Sequence, residues 1–344
     1  MDDRWPDLGR LARFPEGEAA ADRFSGTVVV ERGGVVVFSG AYSHAHLGLG
    51  VPNDEDTRCN IASITKMITT VAVLQLVEQD ALSLDAVVGD LLPDVGIGMA
   101  DRMTVHHLLS HQSGLGDYWT DRCRERRSVL RTTDDYLALV EGMEPAFAPG
   151  TSTAYGSSGF VLLGAIVERT SGTDYYEHVR THVCRRAGMD RADHLHLDQI
   201  TDFAHGYTYV EWEGPLHADH RTDNIFQYPV RGSAATAMYS SAPELLKFGQ
   251  ALRAGELVGE RFVHSMLQPR ALGGEGYGTQ EVPYARGIAV GHGGRAFGAA
   301  TLLLFLPEVD ASVCVLSNFD RPADKGVFAE LDAMLVVETQ DPVT

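Results

Sequence analysis

The residues best suited to chemistry in this chain are Ser63 and Lys66, which two residues separate. Lysine is rare, because only three of the 28 Lys and Arg residues are lysine, at positions 66, 247 and 325. Arginine could not replace a lysine that acts as a base, since a guanidinium keeps its proton in a protein whereas a desolvated amine can lose it. A serine hydroxyl beside such an amine is an activated nucleophile. We therefore interpret Ser63 as the nucleophile and Lys66 as its activator.

The spacing of Ser63 and Lys66 suits a helix. Apolar residues recur every three or four positions at 64, 67, 68, 71, 72, 74 and 77, which predicts an amphipathic helix with Ser63 in its first turn. Residues i and i+3 lie on one helix face, so the amine reaches the hydroxyl. The positive end of the helix dipole favours a developing serine alkoxide. The S-x-x-K sequence alone is weak evidence, because a surface lysine near a capping serine has the same spacing.

Two further segments place a tyrosine and a histidine among small residues. The first reads Ala154-Tyr155-Gly156-Ser157-Ser158-Gly159, and the second reads Gly291-His292-Gly293-Gly294-Arg295. Together with S-x-x-K, and in this order, they resemble the motifs of the serine β-lactamase and penicillin-binding-protein superfamily. The closest branch holds class C β-lactamases, D-aminopeptidases and family VIII esterases, whose motifs are S-x-x-K, Y-x-N and K-T-G or H-x-G. Segments 104–115 and 232–241 are similar to that family too, so the resemblance runs from about residue 24 to about residue 320.

The resemblance implies a role for each motif residue. Ser63 would attack an acyl carbonyl and form an acyl-enzyme, while Lys66 and Tyr155 would handle its proton, and the choice between these two bases stays open. The backbone N–H groups of Ser63 and Arg295 would hold the oxyanion, an arrangement worth several kcal/mol in acyl transfer. The two glycines before Arg295 would let a substrate approach the strand closely.

The chain departs from the β-lactamase pattern at two positions. Ser157 replaces an asparagine that binds the substrate's amide, and His292 replaces a lysine near the substrate's carboxylate. These losses argue against efficient turnover of β-lactams or D-Ala-D-Ala peptides, and the histidine variant is typical of esterase and transferase members. Arg295 either supplies the lost charge and holds a carboxylate or points to solvent. Tyr118 and Trp119 either form a wall of the cleft or only pack in the core.

The bulk composition fits a soluble intracellular enzyme. The net charge of −19 and the isoelectric point near 5.1 argue against nucleic acid and anionic membranes as partners. We expect a cytoplasmic protein, because the chain shows no signal peptide and no apolar run of membrane-spanning length. The four cysteines, at 59, 123, 184 and 314, are far apart and are expected to be free thiols. The sequence makes no prediction of oligomeric state.

No cofactor and no metal ion are expected. The chain has no P-loop and no dinucleotide-binding fingerprint. His107 and His111 have the i, i+4 spacing of zinc ligands, but the glutamate of the zinc motif is missing. The histidines at 44, 46, 194, 196, 217 and 220 are interpreted as ordinary surface residues.

The elements that position the motifs come from both ends of the chain and from its middle. Apolar β-branched runs predict strands at 27–30, 35–38, 288–290, 301–306 and 311–316, with turns at 32–34 and 307–310. Apolar periodicity predicts helices at 104–110, 133–142, 158–170 and 242–253.

These elements indicate an α+β fold. An antiparallel sheet flanked by helices would be built from residues 20–85 and 240–340, with a mainly helical domain at 86–239 inserted between them. Residues 1–19 and 338–344 are interpreted as terminal segments. The family fold is this arrangement, with the active site in the cleft between the two parts.

The sequence thus predicts a serine hydrolase that cleaves a small or medium carboxylic ester or amide through a Ser63 acyl-enzyme. The same acyl-enzyme would make an acyltransferase if the site excluded water and admitted an alcohol or amine. A catalytically silent binding protein on this fold is a third interpretation, against which the intact set of Ser63, Lys66 and Tyr155 argues. No G-x-S-x-G sequence occurs, which removes the main signature of an α/β-hydrolase.

Overall fold

A six-stranded antiparallel sheet forms the centre of the molecule. The structure is a computed structural model that describes residues 8–199, 202–210, 220–268, 276–320 and 322–337. The strands are β1 (Gly26–Arg32), β2 (Val35–Tyr42), β3 (Gln280–Tyr284), β4 (Gly287–Ala296), β5 (Ala299–Leu306) and β6 (Ala311–Ser317). Their order is β2-β1-β6-β5-β4-β3, so the N-terminal hairpin pairs with the last strand of the chain. All predicted strands are confirmed. Strand β3 is not among the predicted strands; it is an edge strand that contains Pro283.

Two turns of the sheet follow from residue type, and both confirm the predictions. Gly33 and Gly34 join β1 to β2 with φ angles of 55° and 77°, as a two-residue hairpin turn of the primed type requires. A 3-10 turn, Pro307–Val309, and Asp310, with a φ of 48°, join β5 to β6.

The helices lie mostly in the middle of the chain. In chain order they are α1 (Leu8–Ala20), α2 (Thr65–Glu78), α3 (Val88–Leu91), α4 (Val105–Leu109), α5 (Asp121–Arg126), α6 (Thr133–Val140), α7 (Ser158–Ser171), α8 (Tyr175–Val179), α9 (Ala242–Arg253), α10 (Glu260–Leu267) and α11 (Ala323–Val337). The four predicted helices match α4, α6, α7 and α9 within two residues at each end. The α+β architecture is therefore confirmed, while the domain boundaries stay predictions.

Short elements complete the described chain. Short strands form antiparallel pairs: His44–His46 with Val51–Pro52, Cys59–Asn60 with Tyr239–Ser240, and Tyr207–Thr208 with Thr222–Asp223. Within the described residues, no helix is long and apolar enough to cross a membrane.

Helices cover both faces of the sheet, which explains why β5 and β6 are buried along their whole length. Along β6, Val313 and Val315 face one core while Cys314 and Leu316 face the other, because side chains alternate along a strand. Helices α1 and α11 close the first core. Residues 8–19 of the predicted N-terminal segment thus lie in a helix that packs against β2 and α11. The predicted tail at 338–344 lies outside the described residues.

Helix α2 is buried on all sides, so the prediction of an amphipathic helix is wrong. Every residue from Thr65 to Leu76 is buried, and the helix packs against α7 and α8. Two of its polar side chains, Thr69 and Gln75, donate hydrogen bonds to carbonyls inside the molecule. Thr69 Oγ1 donates to the Ala234 carbonyl at 2.6 Å, and Gln75 Nε2 donates to two backbone carbonyls at 3.0 Å. A helix surrounded by protein needs no polar face.

Candidate active site

Ser63 lies in a 3-10 turn, Ala62–Ile64, directly before α2 rather than in the first turn of that helix. Ala62 has a φ of 45°, a left-handed conformation that costs energy for a residue other than glycine. Two side chains hold it there. Asn60 Oδ1 accepts the N–H of Ala62 at 2.8 Å, and Thr65 Oγ1 donates to the Ala62 carbonyl at 2.6 Å. These bonds fix the backbone that presents Ser63 to the cleft.

The side chain of Lys66 is completely buried, which is rare for lysine. Its Nζ lies 3.2 Å from Ser63 Oγ and donates to the Ala235 carbonyl at 2.9 Å. The ring centroids of Tyr155 and Phe160 lie 5.0 and 5.6 Å from the same nitrogen. The amine is therefore within hydrogen-bond reach of the hydroxyl that it is predicted to activate.

Tyr155 reaches the same cleft from the loop before α7 and is 42% exposed. Its ring centroid lies 4.6 Å from that of His111 and 5.9 Å from that of His292. The structure thus brings Ser63, Lys66 and Tyr155 together at one place.

His111 is a site residue to which the sequence analysis assigns no role. The ring is buried, and its Nδ1 accepts the N–H of Gly156 at 3.4 Å. Burial, with smaller contributions from Lys66 and His292, lowers the pKa of His111 to about 3, so the ring stays neutral at physiological pH. The available signal was its place in segment 104–115, which resembles the family.

Strand β4 runs beside the nucleophile turn, and Gly294 makes this contact possible. A Cβ at Gly294 would lie 2.2 Å from Thr301 Oγ1, 2.7 Å from Ala62 Cβ and 2.8 Å from the Ile61 carbonyl oxygen. Thr301 Oγ1 also donates to that carbonyl at 3.1 Å. The glycine is therefore needed for the approach of the protein's own backbone, whereas the sequence analysis explains it by the approach of the substrate.

The cleft side of β4 carries the other residues of the third motif. In the described residues β3 pairs with β4 only as far as Gly291, so residues 292–296 have no strand on that side. His292, Gly293 and Arg295 line the cleft there. His292 is buried, with Nδ1 2.5 Å from the Gly293 carbonyl. The role of the Ser63 and Arg295 N–H groups as oxyanion donors stays a prediction.

The cleft has a volume of about 870 Å³, a size typical of small-molecule sites. Ser157 Oγ lies in its wall and donates to Asp117 Oδ2 at 3.4 Å. Asp117 is a second residue that the sequence analysis misses. The guanidinium of Arg295 is exposed and forms no ion pair or hydrogen bond within the described part of the chain. A cation and an anion thus both line the cleft.

Of the two aromatic residues considered as cleft walls, only Trp119 lines the cleft. Tyr118 is fully buried, packs against Trp119 and Tyr136, and shares a 2.8 Å hydrogen bond between its hydroxyl and Ser233 Oγ. The cleft-wall interpretation of Tyr118 is therefore wrong, because its side chain belongs to the core beneath that wall.

Neither Cys59 nor the pair of His107 and His111 competes with this site. Burial raises the pKa of the Cys59 thiol to about 12, which leaves almost no thiolate at neutral pH. All four cysteines are free and buried, as predicted. His107 Nδ1 accepts the N–H of Thr104 at 3.2 Å as part of a helix cap, so His107 and His111 serve separate backbone groups.

His194 is wrongly interpreted as a surface residue. It is 1% exposed, and its Nε2 lies 3.1 Å from the Ser233 carbonyl. His217 lies outside the described residues.

Comparisons with known proteins place the chain in a family. The Beta-lactamase family model matches residues 12–338, so the chain belongs to that family. Penicillin-binding protein 4* of Bacillus subtilis (strain 168) is 26% identical over 318 residues, covering 88% of this chain and 70% of that protein. Esterase EstB of Burkholderia gladioli is 32% identical over 256 residues, covering 66% of this chain and 64% of that protein.

A solved structure agrees with this placement. The penicillin-binding protein from Bacillus halodurans superposes with a TM-score of 0.81 at 28% identity, over 95% of this chain and 100% of that one. The family and its relatives define the protein as a serine hydrolase of the β-lactamase fold.

Proposed function

We propose that the protein cleaves a carboxylic ester or amide through an acyl-enzyme on Ser63. The observation that carries this proposal is the 3.2 Å contact between Ser63 Oγ and the buried Nζ of Lys66, at the side of a small-molecule cleft. Nucleophile and proton acceptor within hydrogen-bond reach are what covalent catalysis by serine needs.

Acylation begins when the Ser63 hydroxyl loses its proton to the pair of Lys66 and Tyr155. Oγ attacks the carbonyl carbon, and the carbonyl oxygen becomes an oxyanion between the N–H groups of Ser63 and Arg295. The bond to the alcohol or amine then breaks, and the leaving group takes the proton back from the same pair. The fixed backbone at Ala62 holds Oγ in place through these steps.

In deacylation the same steps run in the opposite direction, with water as the nucleophile. Water gives its proton to the pair, its oxygen attacks the acyl carbon, and Ser63 leaves with a proton restored. An alcohol or amine in place of water would give a new ester or amide, which is the acyltransferase reaction. The two activities differ only in what reaches the acyl carbon, so one experiment with added acceptors distinguishes them.

Esters and simple amides suit the cleft better than β-lactams. Ser157 already donates to Asp117, and the buried imidazole of His292 does not supply the fixed charge of a lysine. Trp119, Val210 and Phe297 add apolar wall for a small or medium acyl group. The similarity to a protein named an esterase supports the same substrate class.

The test is intact mass after brief exposure to a fluorophosphonate and, separately, to a p-nitrophenyl acyl ester. We expect one adduct per chain, located on Ser63 by peptide mapping and absent from Ser63→Ala, whose stability should be little changed. The lifetime of the ester adduct in water, compared with its lifetime with added alcohols or amines, separates hydrolase from transferase. Absence of any adduct would favour the binding-protein interpretation.

Lys66→Arg tests the activator, and the chain offers a matched control in Lys247→Arg. We expect Lys66→Arg to lose activity by about 10³-fold or more, because arginine keeps its proton and efficient proton transfer contributes roughly 10²–10⁴-fold. Lys247 is exposed on α9, so its replacement should leave kcat/KM unchanged. Full activity in Lys66→Arg would show that another group takes the Ser63 proton.

A further inference from the structure

His46, His205 and Asp223 form a cluster outside the residues that line the catalytic cleft. One nitrogen from each histidine and one oxygen from the carboxylate all lie within 4.8 Å of one another. His205 Nδ1 is 2.7 Å from Asp223 Oδ2, and the ring centroids of His46 and His205 are 4.3 Å apart. His46, interpreted from the sequence as an ordinary surface residue, is half-buried and lies beside two other possible ligands.

We propose that His46, His205 and Asp223 bind a Zn²⁺ ion. Two imidazoles and a carboxylate are a common zinc ligand set, with water in the fourth position. Ligand atoms around a tetrahedral zinc ion lie about 3.3 Å from one another. The distance between any two ligand atoms of the cluster therefore has to change by no more than about 1.5 Å. The ion would take the place of the hydrogen bond between His205 Nδ1 and Asp223 Oδ2.

Hydrogen bonds support the segments that carry the ligand residues, which are separate in the chain. The N–H of His205 donates to the Ala45 carbonyl at 2.9 Å, and Asp223 pairs with Tyr207 in a short antiparallel ladder. Buried Asn318 donates from Nδ2 to the carbonyls of His44 and His205 at 3.1 and 2.8 Å. Such support before binding lowers the cost of ordering a metal site.

Outer contacts hold the Asp223 carboxylate and the His205 ring, and only the outer contact of His46 has to be released. Asp223 Oδ1 accepts the N–H of Ile225 at 2.9 Å, which fixes the carboxylate and leaves Oδ2 directed at His205. Phe203 stacks on the His205 ring, with centroids 5.2 Å apart and planes inclined by 13°. His46 Nδ1 accepts the N–H of Leu49 at 3.2 Å, and this long, exposed bond is released when the ion binds through Nε2.

The proposed site is joined to the wall of the catalytic cleft. Asn224, next to Asp223, donates from Nδ2 to the Phe297 carbonyl at 2.5 Å and accepts the N–H of Gly206 at 3.1 Å. Phe297 lines the cleft. Bound zinc would therefore be connected to this wall through Asn224 and Phe297.

The test is Zn²⁺ binding to the full chain after removal of metals with a chelator. We expect isothermal titration to show one Zn²⁺ per chain, accompanied by a rise in melting temperature. Ca²⁺ and Mg²⁺ should give no such rise, because imidazole suits zinc and not these hard cations. The optical spectrum with Co²⁺ in place of Zn²⁺ should indicate tetrahedral coordination by nitrogen and oxygen.

Ligand variants make the test specific. His205→Gln, Asp223→Asn and His46→Gln should each weaken Zn²⁺ binding at least tenfold, while His44→Gln, two residues from a ligand, should bind as the parent does. Because His46 is partly exposed, its variant should fold even if the other two do not. Absence of stoichiometric binding by the parent chain, or equal binding by His46→Gln, would overturn the proposal.

Discussion

The imidazole of His111 packs against the phenol ring of Tyr155, with ring centroids 4.6 Å apart and planes inclined by 34°. The same imidazole also packs against Phe160, with ring centroids 5.4 Å apart, and accepts the N–H of Gly156. His111 therefore supports both the ring of Tyr155 and the backbone of the residue that follows it. A neutral ring suits this position, because a cation here would repel Lys66.

We predict that His111 positions Tyr155 for proton transfer. His111→Phe keeps an aromatic support but loses the acceptor for Gly156, and His111→Asn keeps an acceptor near Nδ1 but loses the ring. Both variants should lower kcat by about 10- to 100-fold, the usual effect of a small displacement of a catalytic group, and change KM little. Steady-state kinetics with a p-nitrophenyl ester measure this, and thermal unfolding serves as the control for folding.

A purely structural role would give a different result. In that case, kcat of the folded fraction would match the parent, and only the melting temperature would fall.

The second prediction is a loss of stability at mildly acidic pH. Burial is the main cause that lowers the pKa of His111 and of His194 to about 3 in the folded protein, against about 6.5 when unfolded. Between these values the unfolded chain binds more protons, so the free energy of unfolding falls as pH falls below about 6.5. Each group contributes a slope of up to about 1.4 kcal/mol per pH unit. Urea unfolding at pH 7, 6 and 5 measures this slope above the range where carboxylates titrate.

His194→Gln identifies the source of the slope. Gln can place an amide nitrogen near the present Nε2 and keep the hydrogen bond to Ser233, but it does not titrate. The dependence of the free energy of unfolding on pH between pH 6 and 5 should become less steep, by about the slope that the binding of one proton produces. His264→Gln, at an exposed position on α10, should leave the slope unchanged. An unchanged slope in His194→Gln would contradict the prediction.

The sequence predicts the fold well where pattern and turn chemistry agree. The Gly33 and Gly34 hairpin and helix α9 follow from residue types that have few other uses. Helix α2 is misread because its hydrophobic periodicity does not show that Thr69 and Gln75 find partners in the interior. Burial of polar side chains depends on tertiary contacts, which no local pattern contains.

The residues of the candidate site also differ in whether the sequence could predict them. The motifs predict Ser63, Lys66 and Tyr155 because each motif fixes a residue type for a chemical reason, and the structure brings the three residues together. Asp117 and the cluster around His205 are missed, since their chemistry depends on segments far apart in the chain. Residues that act through long-range proximity give no signal in a single sequence.

The third prediction concerns Arg295 and substrates that carry a carboxylate. Its guanidinium is exposed at the cleft and has no partner in the described residues, so it is available for a bidentate contact. Arg295→Ala should raise KM about tenfold for an ester with a carboxylate on its acyl part. This is the loss expected when a partly solvated, charge-assisted contact between guanidinium and carboxylate is removed. KM for the neutral isostere should stay within about twofold, and Arg295→Lys should recover part of the loss. Equal changes for both esters would place the guanidinium in solvent.

The last prediction tests the contact between strand β4 and the nucleophile turn. A methyl group at position 294 would meet Thr301 Oγ1, Ala62 Cβ and the Ile61 carbonyl, all closer than 3 Å. Thr301 can rotate, but the other two belong to the turn that presents Ser63, so Gly294→Ala should push this turn away from β4. We expect a destabilisation of about 1–3 kcal/mol, typical of overpacking, and a loss of kcat larger than the loss of folded protein explains.

Gly96→Ala is the matched control, because nothing lies within 4 Å of a Cβ at that position. It should leave activity and stability close to those of the parent chain. If Gly294→Ala labels with a fluorophosphonate as fast as the parent does, the turn tolerates the methyl group. The close packing of β4 would then serve stability alone. Slow labelling in a folded variant would instead show that the position of Ser63 depends on how closely β4 approaches Ala62.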